Sequence, residues 1–342
     1  MPEFAQPLVI AHRGCPGRRL EHTRPSYDLA IDDGADYIEP DVVASSDGHL
    51  VVRHENEIGS TTDVADHPEF AGRRTTKTVD GVEKDGWFTE DFTLAELKTL
   101  RAKERIPDVR PGNVPFGGTE EILTFDEVVA IAEKGFVRRG TPVGVYVETK
   151  HPTYFAGIGL DLNDLLLDAL ERLGLNHEDA PVIVQSFESG NLQDFRRRSP
   201  LFLVQLMSPS GAPADFVAAG DPRTYTDLMS EEGLAFVASY ADAIGPHKSL
   251  VIELDDDGNL AEPTGLVDRA HATGLDVHIW TMRDENAFLP ADLRIGTEKS
   301  DYGDMLPEYE AFLDAGIDGM FSDFTQTAVR ARGEWAATRP SA

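Results

Sequence analysis

Short apolar runs that stop abruptly at ionisable residues recur along this chain, and they constrain its fold more than any other feature. Leu8, Val9, Ile10 and Ala11 end in His12, Arg13 and Gly14. Ala35, Asp36, Tyr37 and Ile38 end in Glu39, Pro40, Asp41 and Val42, and Leu50, Val51 and Val52 end in Arg53, His54 and Glu55. A continuous apolar run bounded by glycine and proline reads as a strand buried on both faces, as in a parallel sheet covered by helices. In a barrel of such strands, side chains from different strand ends meet over one small volume. Residues 8–55 therefore read as part of a site.

The alternation continues beyond them. Residues 25–33 read as a helix with Thr23 as N-cap and Gly34 as its stop, and Ser46, Asp47 and Gly48 separate two strand-like runs as a hairpin-like connection or a short extra strand. Residues 56–121 are polar and rich in glycine and proline, with one helix signal, Thr93 followed by Glu96 in capping-box spacing. They read as an insertion over the strand ends, or a lid. Thr124 and Glu127 cap the next helix, which is expected to stop at Gly135. Further strands are expected at 143–147, 182–184, 201–206, 250–254, 276–279 and 317–321, with helices between them and a frayed tail from Arg332 through Pro340 and Ser341. Roughly eight strand–helix units with no linker-like break predict one (β/α)8 TIM barrel, residues 1–342, carrying the 56–121 insertion. A doubly wound sheet is disfavoured, because His12-Arg13-Gly14 stands where a glycine-rich phosphate fingerprint would follow the first strand.

Charge narrows the partners. Asp plus Glu is 61 against 31 Lys plus Arg, a formal net charge of -30, which argues against nucleic acid and anionic lipid, both of which bind clustered cations. No apolar stretch approaches the roughly 18 residues of a membrane span, so no membrane insertion is expected. A cytoplasmic location is expected from the sequence as given, with an exported form that has lost its signal left open. The single cysteine, Cys15, excludes a disulfide within the chain and a cysteine-rich zinc site. An anionic substrate would need local cations to overcome the global field, which points to a bound metal and a few basic side chains.

Glu39 and Asp41 sit two apart in an extended stretch, so their side chains share a face, and Glu148 ends a different strand. Converging acids repel unless protonated or bridged by a cation, and an all-oxygen donor set favours a hard ion such as Ca²⁺ or Mg²⁺. The plainer alternative is surface carboxylates in an acid-rich chain. His12 and His54, at different strand ends, suggest an acid and base pair, since phosphodiester hydrolysis needs one group to deprotonate the nucleophile and another to protonate the leaving alkoxide. Either histidine could instead be structural. Arg13 and Lys150 are placed to hold a phosphate.

The ordered motifs His12-Arg13-Gly14, Glu21-His22-Thr23, Glu39-Pro40-Asp41-Val42, Ser46-Asp47-Gly48 and Val52-Arg53-His54 resemble the signature of glycerophosphodiester phosphodiesterases. The resemblance continues at Glu148-Thr149-Lys150, Gln185-Ser186-Phe187, His278-Ile279-Trp280-Thr281 and Ser322-Asp323, and the 56–121 stretch is similar to the insertion of bacterial-type members. It implies a metal-dependent barrel hydrolase that cleaves small glycerophosphodiesters to an alcohol and glycerol 3-phosphate. By position, His12 and His54 would be the acid–base pair, Glu39, Asp41 and Glu148 the ligands of a divalent cation, and Arg13 and Lys150 the phosphate holders. Gln185 and Trp280 would line the substrate pocket. The chain departs from the family pattern at Glu55, where an aspartate usually follows the second histidine, and at Ser46, where a lysine usually precedes the turn. Two other readings are a phospholipase on the same barrel and a non-catalytic relative that binds a phosphodiester.

Overall fold

The computed structural model describes residues 6–339; residues 1–5 and 340–342, with Pro340 and Ser341 of the expected frayed tail, lie outside them. Fourteen strands are described among these residues, in chain order β1 (Leu8–Ala11), β2 (Tyr37–Ile38), β3 (Asp41–Ala44), β4 (Leu50–Val52), β5 (Thr75–Val79), β6 (Val82–Gly86), β7 (Gly144–Thr149), β8 (Val182–Ser186), β9 (Phe202–Met207), β10 (Ala243–Pro246), β11 (Ile252–Leu254), β12 (Leu260–Pro263), β13 (Asp276–Met282) and β14 (Gly319–Ser322). β1 pairs in parallel with both β14 and β2, and β2 and β3 both pair with β7, which continues through β8, β9, β10 and β13 back to β14. The second position of the closed barrel is thus one strand interrupted at Glu39 and Pro40. Proline has no N–H for the ladder, so the break falls where a strand can tolerate it.

Period two decides which side chain faces where. Ile10, Tyr146, Ile183, Phe202, Val204 and Phe321 pack together inside the barrel, while their neighbours Val9, Val145, Val147, Val184 and Leu203 pack outward under the helices. Small residues make room for the large ones: a Cβ on Gly144 would lie 2.2 Å from the Tyr37 ring, and one on Gly319 would lie 2.8 Å from the His278 ring. His278 forms part of this floor, with its Nδ1 2.8 Å from the Tyr146 hydroxyl and its ring stacked on Phe202.

Several elements differ from the sequence reading. The sixth barrel strand is β10, whereas residues 252–254 pair with β12 as a hairpin outside the barrel. The helix capped by Thr124 and Glu127 does not stop at Gly135 but runs through Phe125–Arg139, ending at the left-handed Gly140. Gly135 is there for packing, since a Cβ would lie 2.8 Å from Ile31 on the helix Arg24–Asp33. Thr23 precedes that helix, but its hydroxyl donates to the Leu20 carbonyl and does not cap. The expected fraying at Arg332 is also wrong: it lies in the helix Thr325–Ala337 and bonds the Pro7 carbonyl at 2.9 Å and Asp36.

Between β4 and the helix Phe125–Arg139 the chain forms the β5–β6 hairpin, the short helix Leu94–Leu97 with the expected Thr93–Glu96 capping box, and several 3-10 turns. It is tied to the barrel mouth at named points. Arg105 reaches Glu21 at 3.0 Å, Asn113 donates to the carbonyls of Pro16 and Arg19, and Arg110 is buried between Glu285 and Asp323. No helix among the described residues is long and apolar enough to cross a membrane.

Candidate active site

The barrel strands end at one mouth, and the ionisable residues that follow them surround a cavity of about 290 Å3. His12 and Arg13 follow β1, Glu39 sits at the break before β3, Glu148 ends β7 with Lys150 just after it, Gln185 lies in β8 and Trp280 in β13. His54 follows β4. All eight line that cavity, with Phe187, Leu206 and Phe321 completing it. Asp41 opens β3 beneath it, and Glu39, Asp41 and Glu148 each offer an oxygen within 4.8 Å of the others'.

Three buried carboxylates so close cannot all be ionised without compensation. Burial, and then the charges of Asp41 and Glu148, push Glu39 well above the ordinary carboxylate range. Burial, with Asp41 adding to it and Lys150 opposing it, pushes Glu148 up to about 7. Asp41 goes the other way: burial would raise it, but His22 at 3.0 Å and Arg13 hold it well below its usual value. One Asp41 oxygen, Oδ1, is buried with no hydrogen-bond partner. An all-oxygen set with an unsatisfied acceptor and suppressed ionisation fits a hard divalent cation.

Both histidines present the same face to the cavity. His12 Nδ1 lies 2.5 Å from Asp323 Oδ1, and His54 Nδ1 lies 3.1 Å from Glu55 Oε1. Each carboxylate accepts a hydrogen bond from Nδ1–H, which leaves Nε2 of the neutral ring as an acceptor. His12 Nε2 faces Glu39 at 3.9 Å, and His54 Nε2 lies 3.3 Å from the Lys150 ammonium. Burial and the neighbouring Arg13 lower His12 to about 4 and His54 to about 3. Glu55, at the departure from the family pattern, thus takes up the ring nitrogen of His54, and the same carboxylate also binds Lys84 of β6 and His151.

The cationic side chains are already engaged. Arg13 reaches Glu21 at 3.2 Å and Asp41 at 3.4 Å, while Lys150 lies 2.7 Å from Glu148. Gln185 donates to Glu39 Oε1 at 2.7 Å and keeps its own carbonyl oxygen buried and unpaired. The half-buried Trp280 is held by its Nε1 donating to the Gly245 carbonyl at 2.8 Å, and its ring meets Phe187 edge to face. Among the described residues, four non-glycine residues have positive φ, Arg13, His22, Asp80 and His151, and all touch these groups. Each such conformation costs on the order of 1–2 kcal/mol, and such strain clusters at functional sites.

Sequence reasoning assigned no role to the residues behind this first layer. Asp323 is among them: it binds His12 through one oxygen and Arg110 and Arg283 through the other, at 2.5 and 2.7 Å. It follows the apolar run Gly319–Ser322 in the same pattern as the other site residues, so the signal was present. His22, which also bonds the Tyr27 hydroxyl at 2.8 Å, and Glu21 stood in a quoted motif. Arg110, in a polar insertion far along the chain, carried no signal.

Comparison with known proteins identifies the family. The family model for the glycerophosphoryl diester phosphodiesterase family matches residues 12–327. The chain is 35% identical to glycerophosphodiester phosphodiesterase GDPD6 of Arabidopsis thaliana over 339 residues, covering 94% of this chain and 85% of that one. It is 28% identical to the glycerophosphodiester phosphodiesterase of Haemophilus influenzae, covering 94% and 88%. Among solved structures, an Oleispira antarctica phosphodiesterase in complex with the product sn-glycerol-3-phosphate shares the fold, with a TM-score of 0.60, 21% identity and coverage of 95% and 96%. The glycerophosphodiester phosphodiesterase of Thermotoga maritima does so at a TM-score of 0.56 and 18% identity, covering 96% and 100%. A family match that begins at His12 and runs into the last helix spans every strand end that builds this cavity, and the chain belongs to the glycerophosphoryl diester phosphodiesterase family.

Proposed function

We propose that this protein hydrolyses small glycerophosphodiesters to an alcohol and glycerol 3-phosphate, with a divalent cation at Glu39, Asp41 and Glu148. The observation that carries the reading is two neutral imidazoles facing one cavity beside three buried carboxylates that cannot all ionise alone. A hard cation there, Ca²⁺ or Mg²⁺, supplies neutralisation of the phosphate and acidification of a bound hydroxyl.

The chain's own residues do the rest. Arg13 and Lys150 offer N–H groups to the phosphate oxygens, and their carboxylate partners keep both in place before substrate arrives. One neutral imidazole takes the proton of the attacking hydroxyl at Nε2, while the other, having taken up a proton from solvent as the anionic phosphate enters, gives that Nε2 proton to the leaving alkoxide. Asp323 and Glu55 fix the tautomer of each ring and stabilise the imidazolium that forms. Burial and the neighbouring cations hold both rings low, and the negative charge of a bound phosphate is what raises them during turnover. Trp280 and Phe187 give the glycerol carbons an apolar wall, and the free Gln185 oxygen can accept from a glycerol hydroxyl. The Oleispira phosphodiesterase, in complex with sn-glycerol-3-phosphate as product, supports this choice of substrate half.

The test is release of glycerol 3-phosphate from glycerophosphocholine by purified protein. Chelator should abolish it, and Ca²⁺ or Mg²⁺ should restore it. Full activity in excess chelator would overturn the role of the carboxylates, and no turnover of any glycerophosphodiester would overturn the reaction.

A further inference from the structure

A second cavity, of about 300 Å3, lies beside the first and shares Glu148, Lys150 and Phe187 as a common wall. Its far side is built by His151, Glu188 and Tyr225, and Asp80 and Val217 stand at its rim. Charge across this wall is not balanced. Lys150 is matched by Glu148 at 2.7 Å, and His151 by Asp80 at 2.5 Å and Glu55 at 3.3 Å. Glu188 has no such match. It is only 3% exposed. Its carboxylate accepts from the Thr153 N–H at 3.1 Å and from the Thr153 hydroxyl, and no Lys, Arg or His among the described residues stands at ion-pair distance from it. Burial, with the negative charges of Asp215 and Asp80 adding to it, pushes its carboxyl up to about 7. A buried carboxylate without a counter-charge is costly, and here it faces a space large enough for a small ligand. The aromatic part of the lining is Tyr225, held by its hydroxyl donating to the Phe187 carbonyl at 3.3 Å, and Phe187 itself, whose ring meets Tyr225 edge to face. Aromatic faces and a carboxylate together are how proteins recognise ammonium groups.

We propose that this cavity receives the alcohol half of the diester and selects alcohols that carry an ammonium charge, primary or quaternary. The inference rests on the proposed phosphodiester hydrolysis for its link to turnover, because the shared wall of Glu148, Lys150 and Phe187 is where a phosphate in the first cavity would continue into the second. Glu188 is a specificity residue in this account and takes no part in proton transfer.

Two measurements separate the inference from the reaction it rests on. Choline chloride is titrated into the purified protein by calorimetry, against sodium chloride at equal concentration. In parallel, kcat/KM is compared for glycerophosphocholine and the uncharged-alcohol substrate glycerophosphoglycerol. Wild type should bind choline saturably and favour glycerophosphocholine. Glu188→Gln should lower choline affinity and the ratio of the two kcat/KM values by about 10-fold, the order expected when a buried charged partner is removed. Val217→Arg should lower both in the same direction, and this rim position is 65% exposed, so the fold tolerates it. The exposed Glu178→Gln, with the same change in net charge, should alter neither. Absence of saturable choline binding to wild type, or equal effects of Glu188→Gln and Glu178→Gln, would overturn the inference. If no diester is turned over, the hydrolytic reading fails while the choline titration still decides this one.

Discussion

Protons and a divalent cation compete for the same carboxylates, so cation binding should weaken steeply as pH falls. Asp41 stays ionised throughout, because His22 and Arg13 hold it low against the effect of burial. Glu148 does not: burial first, then Asp41, raise it from 4.5 to about 7. An acid raised on folding destabilises the native state, and the sign follows from proton uptake. The penalty is absent below about 4.5, where folded and unfolded chains are both protonated, and is complete above about 7. At 1.36 kcal/mol per unit, Glu148 alone contributes about 3 kcal/mol of instability at pH 8, which a bound cation would relieve. Between pH 7 and pH 5 the cation must increasingly displace that proton, which weakens its affinity about 50-fold from this one group. Glu39, raised for the same reasons, adds in the same direction. Thermal unfolding of metal-stripped protein with and without millimolar Mg²⁺ or Ca²⁺ measures this. At pH 8 the cation should raise Tm by roughly 5 °C, from about 2 °C per kcal/mol for a chain of this size, and at pH 5 by little. An equal response at the two pH values would refute the triad as the cation's site.

Three further outcomes follow from single contacts. His12→Ala and His54→Ala should each lower kcat by about 10²–10⁴-fold with the circular dichroism spectrum unchanged, and near wild-type turnover in either would remove that histidine from the mechanism. Asp323→Ala leaves the buried Arg110 and the partly buried Arg283 without their shared carboxylate and should cost about 3–5 kcal/mol in urea unfolding; a loss under about 1 kcal/mol would mean that the two arginines are satisfied elsewhere. Gly135→Ala forces a Cβ to within 2.8 Å of Ile31 and should destabilise by about 1–3 kcal/mol, with partial recovery when Ile31 is shortened to Val. No recovery in the double variant would show that the two helices are not limited by this contact.

Most of the barrel and most of the site were legible because one rule generates both. A strand buried on both faces must be apolar along its length, and where it leaves the barrel its next residues face the mouth. That rule placed His12, Glu39, Asp41, Glu148 and Lys150 around one volume, and the structure gathers them there. It failed at Ala243–Pro246, where Ala-Ile-Gly-Pro is too short and too broken to read as a strand beside the more apolar residues 250–254. The reason lies inside the barrel: a Cβ on Gly245 would lie 2.6 Å from Leu206, so this strand must present a small residue where others present large ones. Gly135 misled in the opposite way, because a glycine chosen for close helix packing looks the same in sequence as one chosen for a left-handed stop. The supporting contacts to Asp323 and Glu285 depend on Arg110, which reaches the mouth only after the chain has crossed the β5–β6 hairpin and its turns. No local pattern encodes such a contact, since it joins residues 213 positions apart.

The central claim is that the two imidazoles and the three carboxylates cleave a glycerophosphodiester on the side that leaves phosphate on glycerol. Phosphorus NMR of glycerophosphocholine incubated with the protein and Mg²⁺ or Ca²⁺ tests it most directly. The diester signal should be replaced by that of glycerol 3-phosphate, with choline released, and the conversion should stop on addition of chelator. A phosphocholine signal in its place, or a diester signal that persists with cation present, would contradict the account.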